Sequence, residues 1–396
     1  MKEGWEYKKL GDVGTFVRGG NFSKKDFVEN GFPCLHYGQI HMKFGIETFK
    51  HISSVPAEMV KPDRCAHKGD LVIAITSEDD AGSCKCTAWM GDYDAYVGGH
   101  TAIYRHTMQP KYVSYYFMSP YFQKDKLEYT HGFKVVEINP KDIAKIAIPV
   151  LPLSEQQSIV DYLDSAFAKI DAMKANAEKA LNEAKALFQA SLKEMLEPKE
   201  GWEEKELKDI VDTNCPISYG IVQQGNHVEG GVPVVRPVDL NKKYITVDNL
   251  KCTTKSISSS YKRTILRGDE ILLGVRGTTG IVGIATEELN GCNVNRGIVP
   301  LFFKDIICRD FIYYEMLSPA MQSIFAEKTT GSTLKQINIK DLRRILFYYP
   351  HIEVQQQIAV TLDSLKSKVD RLQENYAKIS QECDALKQAI LRQVFE

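Results

Sequence analysis

The sequence lacks a long apolar run, a signal segment and a disulfide pattern. No stretch of the 396 residues approaches the ~18 consecutive apolar residues that a membrane-spanning helix needs. The N-terminal residues Met1-Lys2-Glu3-Gly4-Trp5-Glu6 contain no apolar signal region. Nine scattered cysteines, an odd number, favour a reducing cytoplasm over a disulfide framework. We therefore expect a cytoplasmic protein without a membrane span.

The motifs of common catalytic sites are also missing. No Gly-Lys dipeptide occurs, which excludes a P-loop, and no Gly-x-Gly-x-x-Gly follows a predicted strand. Asn139-Pro140-Lys141 shares only two residues with the Asn-Pro-Pro-aromatic motif of amino-methyltransferases. The acids Asp63 and Glu78 to Asp80 lack the accompanying lysine of a two-metal nuclease. We predict no catalytic residue on this chain, with a fused enzyme of unrecognised site as an alternative.

A zinc site is the one metal site worth weighing. Cys84-Lys85-Cys86 follows Cys65 and His67, but a single Cys-x-Cys lacks the paired Cys-x-x-Cys spacing of strong zinc signals. Buried or surface thiols explain these residues better, so we predict no metal ligands.

Charge is balanced over the chain but not along it. The 50 Lys/Arg and 51 Asp/Glu give a net charge of −1, which by itself argues against a nucleic-acid binder. Segments 154–197 and 353–396 together hold 15 acidic and 11 basic residues, a net −4, so the remainder carries +3. Phosphate binding by that remainder should be weak and sensitive to salt.

The chain is an internal repeat at an offset of 197 to 200 residues. Gly4-Trp5-Glu6 recurs as Gly201-Trp202-Glu203, and Lys68-Gly69-Asp70 as Arg267-Gly268-Asp269. Segment 132–164 matches segment 331–363 at 11 of 33 positions. We interpret each copy as one globular module followed by one long helix.

Each copy ends in a helix of about 43 residues. No Gly or Pro occurs from Ser154, a plausible N-cap, to Glu197, and the second such segment runs from Glu353 to the C-terminus. At ~1.5 Å per residue such a helix is roughly 65 Å long, so it needs another long helix to cover its apolar face. Antiparallel pairing within the chain is favoured, and homodimerisation is the alternative. In the second helix the apolar positions recur at alternating gaps of three and four residues, which predicts a heptad seam. The predicted packing positions are Leu163, Ile170, Leu181, Phe188, Leu362, Leu365, Val369, Leu372, Ile379 and Leu386.

The modules are predicted to be α+β, with short strands separated by turns. Their loops mix Gly with side chains that hydrogen-bond to base edges or phosphates. A solvated turn is the alternative for any single loop, but such loops recur in both copies. The candidate DNA-binding residues are Asn21, Ser23, His36, Tyr37, Gln39, Ser77, Glu78, His100, Tyr219, Gln223, Gln224, Arg236, Arg276, Thr278, Thr279, Asn295 and Arg296.

The junction between module and helix resembles a known family. Pro152-Leu153-Ser154-Glu155-Gln156-Gln157-Ser158-Ile159 continues to Leu163-Asp164, and Gln355-Gln356-Gln357-Ile358 precedes Leu362-Asp363. This order of modules and helices is similar to that of the specificity (S) subunit of type I restriction–modification enzymes. The second copy departs from the pattern at His351 and Val354. We expect Gln156, Gln157, Gln355 and Gln356 to pack the helices or contact partners.

The resemblance implies an architecture and a function. It implies target recognition domains at 1–152 and 199–351, each binding half of a bipartite double-stranded DNA site. It implies spacer helices at 153–198 and 352–396, which form an antiparallel coiled coil in a pseudo-twofold repeat and set the gap between half-sites.

The resemblance also implies partners. Methylation subunits, usually two, would supply adenine methylation with S-adenosylmethionine, and restriction subunits would supply ATP- and Mg-dependent cleavage. This chain would then be noncatalytic and hold no cofactor. The alternative from another class is a coiled-coil scaffold that binds protein.

Overall fold

A computed structural model describes residues 5–132, 134–331 and 335–396. By its contacts the chain divides into two units, one of Met1–Ala177 with Ala377–Glu396 and one of Glu178–Tyr376. Each unit therefore contains one globular module and a portion of both long helices. The four-part domain division from the sequence stays a prediction.

The first unit consists of short strands and short helices, together with part of both long helices. The strands are β1 (Glu6–Lys9), β2 (Gly14–Arg18), β3 (Phe32–Leu35), β4 (Glu47–Thr48), β5 (Ser53–Val55), β6 (Cys65–Ala66), β7 (Leu71–Ala74), β8 (Thr76–Ser77), β9 (Cys86–Trp89), β10 (Ala95–Val97), β11 (Thr101–His106), β12 (Val136–Glu137) and β13 (Ala147–Val150). The helices are α1 (Tyr37–Met42), α2 (Pro110–Met118), α3 (Pro120–Asp125), α4 (Pro140–Ile143) and the part of the long α5 (Leu153–Leu196) up to Ala177.

Two larger sheets form this module. One has the order β2-β11-β7-β9-β4 and the other β5-β3-β10-β6, while β1 pairs antiparallel with β13 and β8 with β12. Strand β7 is buried along its whole length because both faces of its sheet are covered. Helices α2 and α3 pack on one face, and their aromatic side chains meet the end of the chain where Tyr116 and Phe395 have ring centroids 5.3 Å apart.

The second unit has a similar set of elements. Its strands are β14 (Glu203–Glu206), β15 (Val232–Val235), β16 (Tyr244–Ile245), β17 (Lys251–Thr253), β18 (Ile271–Gly274), β19 (Val282–Ala285), β20 (Asn293–Val294), β21 (Ile298–Leu301), β22 (Thr329–Thr330), β23 (Gln336–Ile337) and β24 (Leu346–Tyr349). Its helices are α6 (Leu207–Ile210), α7 (Lys255–Ser260), α8 (Arg309–Leu317), α9 (Pro319–Lys328), α10 (Ile339–Leu342) and the part of the long α11 (Ile352–Phe395) up to Tyr376. The sheet orders are β16-β19-β18-β21 and β17-β15-β20, with β14 paired to β24.

The same strand pairings recur within the two modules. Strands β3 and β10 are parallel with Leu35 opposite Val97, and β15 and β20 are parallel with Val235 opposite Val294. The next amide then donates to the preceding strand in both, from Gly98 to Leu35 at 2.9 Å and from Asn295 to Val235 at 2.9 Å. A residue in one module can therefore be assigned a counterpart in the other from backbone hydrogen bonds.

Both long helices begin at the residue that the repeat aligns. The carbonyls of Pro152 and His351 accept from the amides of Gln156 and Gln355, at 3.0 and 3.1 Å. Ser154 therefore lies inside the first turn and is not the N-cap, because the helix already starts at Leu153. His351 makes the same backbone bond as Pro152, so the sequence departure there leaves the helix start unchanged.

The apolar seam of α11 departs from the predicted heptad near its end. Leu362, Val369 and Cys383 are buried, but Leu386 is 47 % exposed. The buried positions move instead to Leu391 and Phe395. The physical reason is that a helix with 3.6 residues per turn drifts ~20° per heptad from a 3.5-residue repeat.

Within the first unit, parts of the two long helices contact each other. Lys387 Nζ lies 2.5 Å from Asp171 Oδ1, and Lys174 Nζ lies 3.5 Å from Asp384 Oδ1. The Cys383 thiol lies 3.8 Å from the carbonyl of Ile170. As the number rises on one helix it falls on the other, so these segments run antiparallel.

Candidate nucleic-acid interface

The predicted polar loops of each module gather at the carboxyl ends of its parallel strand pair. A glycine in both modules lets the neighbouring loops approach closely. A Cβ on Gly19 would lie 1.9 Å from the Gly98 carbonyl oxygen, and one on Gly220 would lie 2.1 Å from the Val294 carbonyl oxygen. Real Cβ atoms do not approach so closely, so these two positions require glycine.

In the first unit, five of the predicted residues line one cavity of about 710 Å³. They come from three separate loops that follow β2, β3 and β10. These residues are Asn21, Ser23, His36, Tyr37 and His100. The sequence placed them on different loops, and the fold brings them together.

The rest of this cavity wall is rich in positive charge. Arg18, Lys24, Lys25 and Arg64 line it together with the predicted residues. Arg18 pairs with Glu137 at 2.9 Å, whereas neither Lys24 nor Lys25 has a carboxylate partner in the described parts of the chain. The cavity therefore suits a negatively charged ligand such as a phosphate backbone.

His36 is held as a neutral hydrogen-bond donor in this wall. Burial, followed by the charges of Lys24 and His100, lowers the pKa of His36. Its Nδ1 accepts from the Gly38 amide at 3.2 Å, so the neutral ring carries its proton on Nε2. A donor of this kind hydrogen-bonds to a base-edge acceptor or a phosphate oxygen.

Three other predicted residues of the first module lie outside the cavity lining. Gln39 is buried, and its amide accepts from the His36 backbone and donates to Ser53 Oγ at 2.7 Å. Ser77 shares hydrogen bonds with Asp79, and Glu78, which lies between them, is exposed. Gln39 and His36 form the capping box at the start of α1, so the Gln39 side chain orders this loop.

In the second unit, three predicted residues line one pocket of about 350 Å³. These are Arg276, Asn295 and Arg296, with Pro237, Gly277 and Gly297 completing the wall. Asn295 Oδ1 accepts from the Gly297 amide at 2.6 Å, which leaves its NH₂ group free to donate. Its loops after β15 and β20 correspond to the loops after β3 and β10 in the first cavity, whereas Arg276 comes from the loop after β18.

The other predicted residues of the second module have different surroundings. Arg236 forms two hydrogen bonds with Asp239, at 3.0 and 2.8 Å, and this bonding raises the pKa of Arg236. The Tyr219 hydroxyl donates to Ile337 O at 3.1 Å, and Thr279 Oγ1 lies 3.0 Å from Thr329 Oγ1. Gln224 donates to Lys251 O, whereas Gln223 and Thr278 are exposed. A guanidinium already engaged by a carboxylate is a weaker candidate for base contact than a free one.

Sequence reasoning missed the cations of the first cavity. Arg18 and the pair Lys24-Lys25 flank the loop of Gly19, Gly20 and Asn21, where the sequence predicts only Asn21 and Ser23 as DNA contacts. Arg64 comes from a distant turn, where its guanidinium donates to Gly19 O at 3.1 Å. The two lysines could have been found from their place beside the loop, while Arg64 carries no signal in the sequence.

The spacing that recurs at the two helix junctions corresponds to a joint between module and helix. Gln156 and Gln355 are buried, and each side-chain oxygen accepts a backbone amide at 2.8 Å, from Gln109 and Cys308 respectively. Their amide groups donate to Leu151 O and Pro350 O. The following Gln157 and Gln356 are exposed. The first Gln of each pair therefore fixes its module to the helix.

A second joint lies two turns further along each helix. Asp164 Oδ1 accepts from Tyr115 at 2.6 Å, and Asp363 Oδ1 accepts from Tyr314 at 2.5 Å. A lysine also reaches each aspartate at 2.5 Å, Lys111 from α2 in one unit and Lys243 from the loop before β16 in the other. The lysine comes from a different element in each module, yet the aspartate of each long helix binds one tyrosine and one lysine.

The candidate zinc ligands lie in different surroundings. Cys65, Cys84 and Cys86 sit in the interior, and burial raises the pKa of each thiol. His67 Nδ1 lies 2.7 Å from Asp94. Over the described ranges there is no group of three or more His, Cys, Asp or Glu placed to hold a metal ion.

In the described part of the chain, every helix is too short or too polar to cross a membrane.

Comparison with known proteins assigns both halves of the chain to one family. Residues 2–183 and 199–381 each match the domain described as "Type I restriction modification DNA specificity domain". The two matched segments cover more than half of the chain and repeat in the order of the internal duplication.

Individual relatives carry the same description. The chain is 27% identical over 290 residues to the type I restriction enzyme EcoBI specificity subunit of Escherichia coli, covering 67% of this chain and 61% of that relative. It is 21% identical to the EcoKI specificity subunit of E. coli K12, over 100% of this chain and 89% of that protein.

Solved structures have the same fold. One, from a study of complex assembly and conformational transition of the type I R-M system, aligns with a TM-score of 0.77 at 20% identity, over 100% of this chain and 98% of that one. The HsdS subunit of Thermoanaerobacter tengcongensis aligns with a TM-score of 0.60 at 18% identity, over 100% and 97%.

Proposed function

The chain belongs to the type I restriction–modification DNA specificity family, and from this premise we propose that each module binds one half of a bipartite DNA site. As a specificity subunit it provides sequence recognition. The observation that carries the proposal is the clustering of polar and basic loop residues beside the parallel strand pair of each module. In the first module these residues include Asn21, His36 and Arg64, and in the second they include Arg276, Asn295 and Arg296. The scaffold alternative has no support from the family match.

The loops fit DNA in two different ways. The first cavity combines a neutral His36 with Lys24 and Lys25, which have no carboxylate partner in the described ranges, a set that suits phosphate oxygens and a base edge together. The second pocket holds two guanidiniums and one amide, the groups that hydrogen-bond to purine edges in the major groove. We propose that the predicted residues lining these two sites make the DNA contacts.

We propose that the long helices form an antiparallel coiled coil that sets the spacing between the half-sites. Each helix spans 44 residues, about 66 Å at 1.5 Å per residue. One helical turn of DNA is ~34–36 Å, so a helix of this length suffices to span more than one turn. The ion pairs of Asp171 and Lys174 with α11 support the antiparallel direction.

We propose that catalysis belongs to partner subunits. Methylation subunits would bring S-adenosylmethionine, and restriction subunits would bring ATP and Mg, so that this chain acts in the cytoplasm as a noncatalytic member of the complex.

The proposal is tested by exchanging one module. A chimera with residues 1–150 replaced by the module of another specificity subunit is produced in a host that supplies the methylation subunits, and the host methylome is sequenced. One half of the methylated motif should change and the other should stay. If both halves change, or neither does, the assignment of one half-site to each module is wrong.

A further inference from the structure

Backbone hydrogen bonds define equivalent positions in the two DNA-binding sites. The Ile75 amide donates to His100 O at 3.0 Å, and the Val275 amide donates to Gly297 O at 2.8 Å. The next residue, Thr76 or Arg276, then pairs with Glu137 or Gln336 on the neighbouring strand. Thr76 and Arg276 are therefore counterparts, and so are Glu137 and Gln336.

Each module has an arginine near this strand pair, but the two arginines stand at positions that are not counterparts. In the first, Arg18 lies beside the close-approach glycine and its charge is balanced by Glu137 at 2.9 Å. In the second, Tyr219 precedes the equivalent glycine, and the neutral Gln336 replaces the acid. Arg276 thus stands next to a residue that cannot balance its charge, and no described carboxylate lies within ion-pair distance of it.

The pocket around Arg276 has an excess of hydrogen-bond donors. Arg296 on its wall also lacks a carboxylate partner in the described ranges, and the Asn295 oxygen is taken by the Gly297 amide. Gly277 and Gly297 add no side chains to the wall, so a planar group has room to approach. An arginine makes two parallel hydrogen bonds to the O6 and N7 acceptors of guanine, and this is the commonest specific protein–DNA contact.

We propose that Arg276 is a specificity-determining residue that binds a guanine in the half-site of the second module. The neutral Gln336 opposite it does not form an ion pair with the guanidinium, which can therefore bind the base. The inference rests on the function proposed above and adds the identity of one base. A phosphate contact is the competing outcome for the same guanidinium, and it would not depend on the base.

The test uses the full chain assembled with its methylation subunits. The motif is first taken from the methylome, and the module-exchange chimera shows which half belongs to the second module. Duplexes are then made with each guanine of that half replaced in turn by 7-deazaguanine, which lacks only the N7 acceptor. At one position the wild-type complex should lose about 5- to 150-fold in affinity, and Arg276→Ala should bind both duplexes equally.

Two further variants separate base contact from charge. Arg276→Lys keeps the charge but loses the two-bond geometry, so it should resemble Arg276→Ala. Gln336→Glu restores the acid of the first module and should also remove the sensitivity to 7-deazaguanine, with little additional effect in the Arg276→Ala background. Arg263→Ala, which removes an exposed charge outside the pocket, is the matched control and should behave as wild type.

The outcomes distinguish the inference from its premise. Uniform weakening on every duplex by Arg276→Ala, with full binding by Arg276→Lys, would show a phosphate contact and overturn the inference. So would a second half-site without guanine, or wild-type sensitivity in Arg276→Ala. If the wild-type complex methylates no bipartite motif at all, the proposed function itself fails.

Discussion

At the scale of single residues, Glu315 is the most perturbed acid of the second unit. It lies in α8 at the position of Tyr116, whose hydroxyl donates to Ala147 O at 2.7 Å in the first unit. The carboxyl of Glu315 is buried, and its Oε2 has no hydrogen-bond partner among the residues that the structure describes. Burial raises the pKa of Glu315 from 4.5 to about 8.

This pKa makes the stability of the second unit depend on pH. The folded state holds the Glu315 proton up to about pH 8, while the unfolded chain releases it near pH 4.5, so the free energy of unfolding falls as pH rises between these values. Glu315→Gln mimics the protonated acid and should gain roughly 2–4 kcal/mol over wild type at pH 8, but little at pH 4. Urea denaturation at both pH values measures the difference. Glu288→Gln, on the surface, is the control, and parallel pH curves for wild type and Glu315→Gln would contradict the prediction.

Gln355 offers a second residue-scale prediction. Gln355→Ala removes the partners of Cys308 N and Pro350 O, which lie 2.8 Å from its side chain. Unsatisfied buried groups cost ~1–3 kcal/mol each, so we expect a loss of about 2–4 kcal/mol in the free energy of unfolding, measured by urea denaturation. Gln356→Ala changes the exposed neighbour and should stay within ~0.5 kcal/mol of wild type. Equal losses in both variants would refute the joint.

Base-contact candidates could be predicted from the sequence only as residue types on loops. Asn21 and His100 are far apart in the chain, and their meeting depends on the parallel bridge between Gly20 and Gly98. Gln39 and Arg236 carry suitable groups, but a residue three positions away in the chain engages each of them in a cap. Such local pairing competes with ligand binding and is invisible in composition.

At the scale of elements, the long helices follow directly from the sequence. Segment 154–197 has no Gly or Pro and is rich in Ala, Leu, Lys and Glu, and the structure has a helix from Leu153 to Leu196. The face that is buried was harder to predict. The heptad pattern selected Leu386, while the structure buries Leu391, because the period of a straight helix differs from that of the pattern.

The drift of the seam gives a prediction for α11. Leu391 is 0% exposed, so Leu391→Ala should leave a cavity and cost ~2–5 kcal/mol of unfolding free energy. Leu386, at 47% exposure, makes the matched control, and Leu386→Ala should cost under about 1 kcal/mol. Thermal denaturation of the two variants measures both effects. A larger loss for Leu386→Ala would favour the heptad register over the observed one.

At the scale of the whole molecule, the distribution of charge controls DNA binding. The net charge of −1 combines −4 in the helical segments with +3 elsewhere. Lys24, Lys25 and Arg64 line the first cavity, and the only carboxylate within ion-pair distance of any of them is that of Asp63, 3.8 Å from Arg64, in the described residues. Since few phosphates can be neutralised, we expect the purified chain alone to bind DNA weakly.

The salt dependence of binding makes this argument quantitative. Each neutralised phosphate contributes about −0.9 to the slope of log affinity against log salt, so three cations give a slope of about −3. Lys24→Ala with Lys25→Ala should reduce its magnitude by about 2, to near −1, whatever the DNA sequence. Fluorescence anisotropy of a labelled duplex, recorded between about 50 and 200 mM salt, measures the slope for each variant. Lys185→Ala with Lys193→Ala removes equal charge from α5 and should leave the slope unchanged. If the slope changes equally in both double variants, net charge, and not the cavity, attracts the DNA.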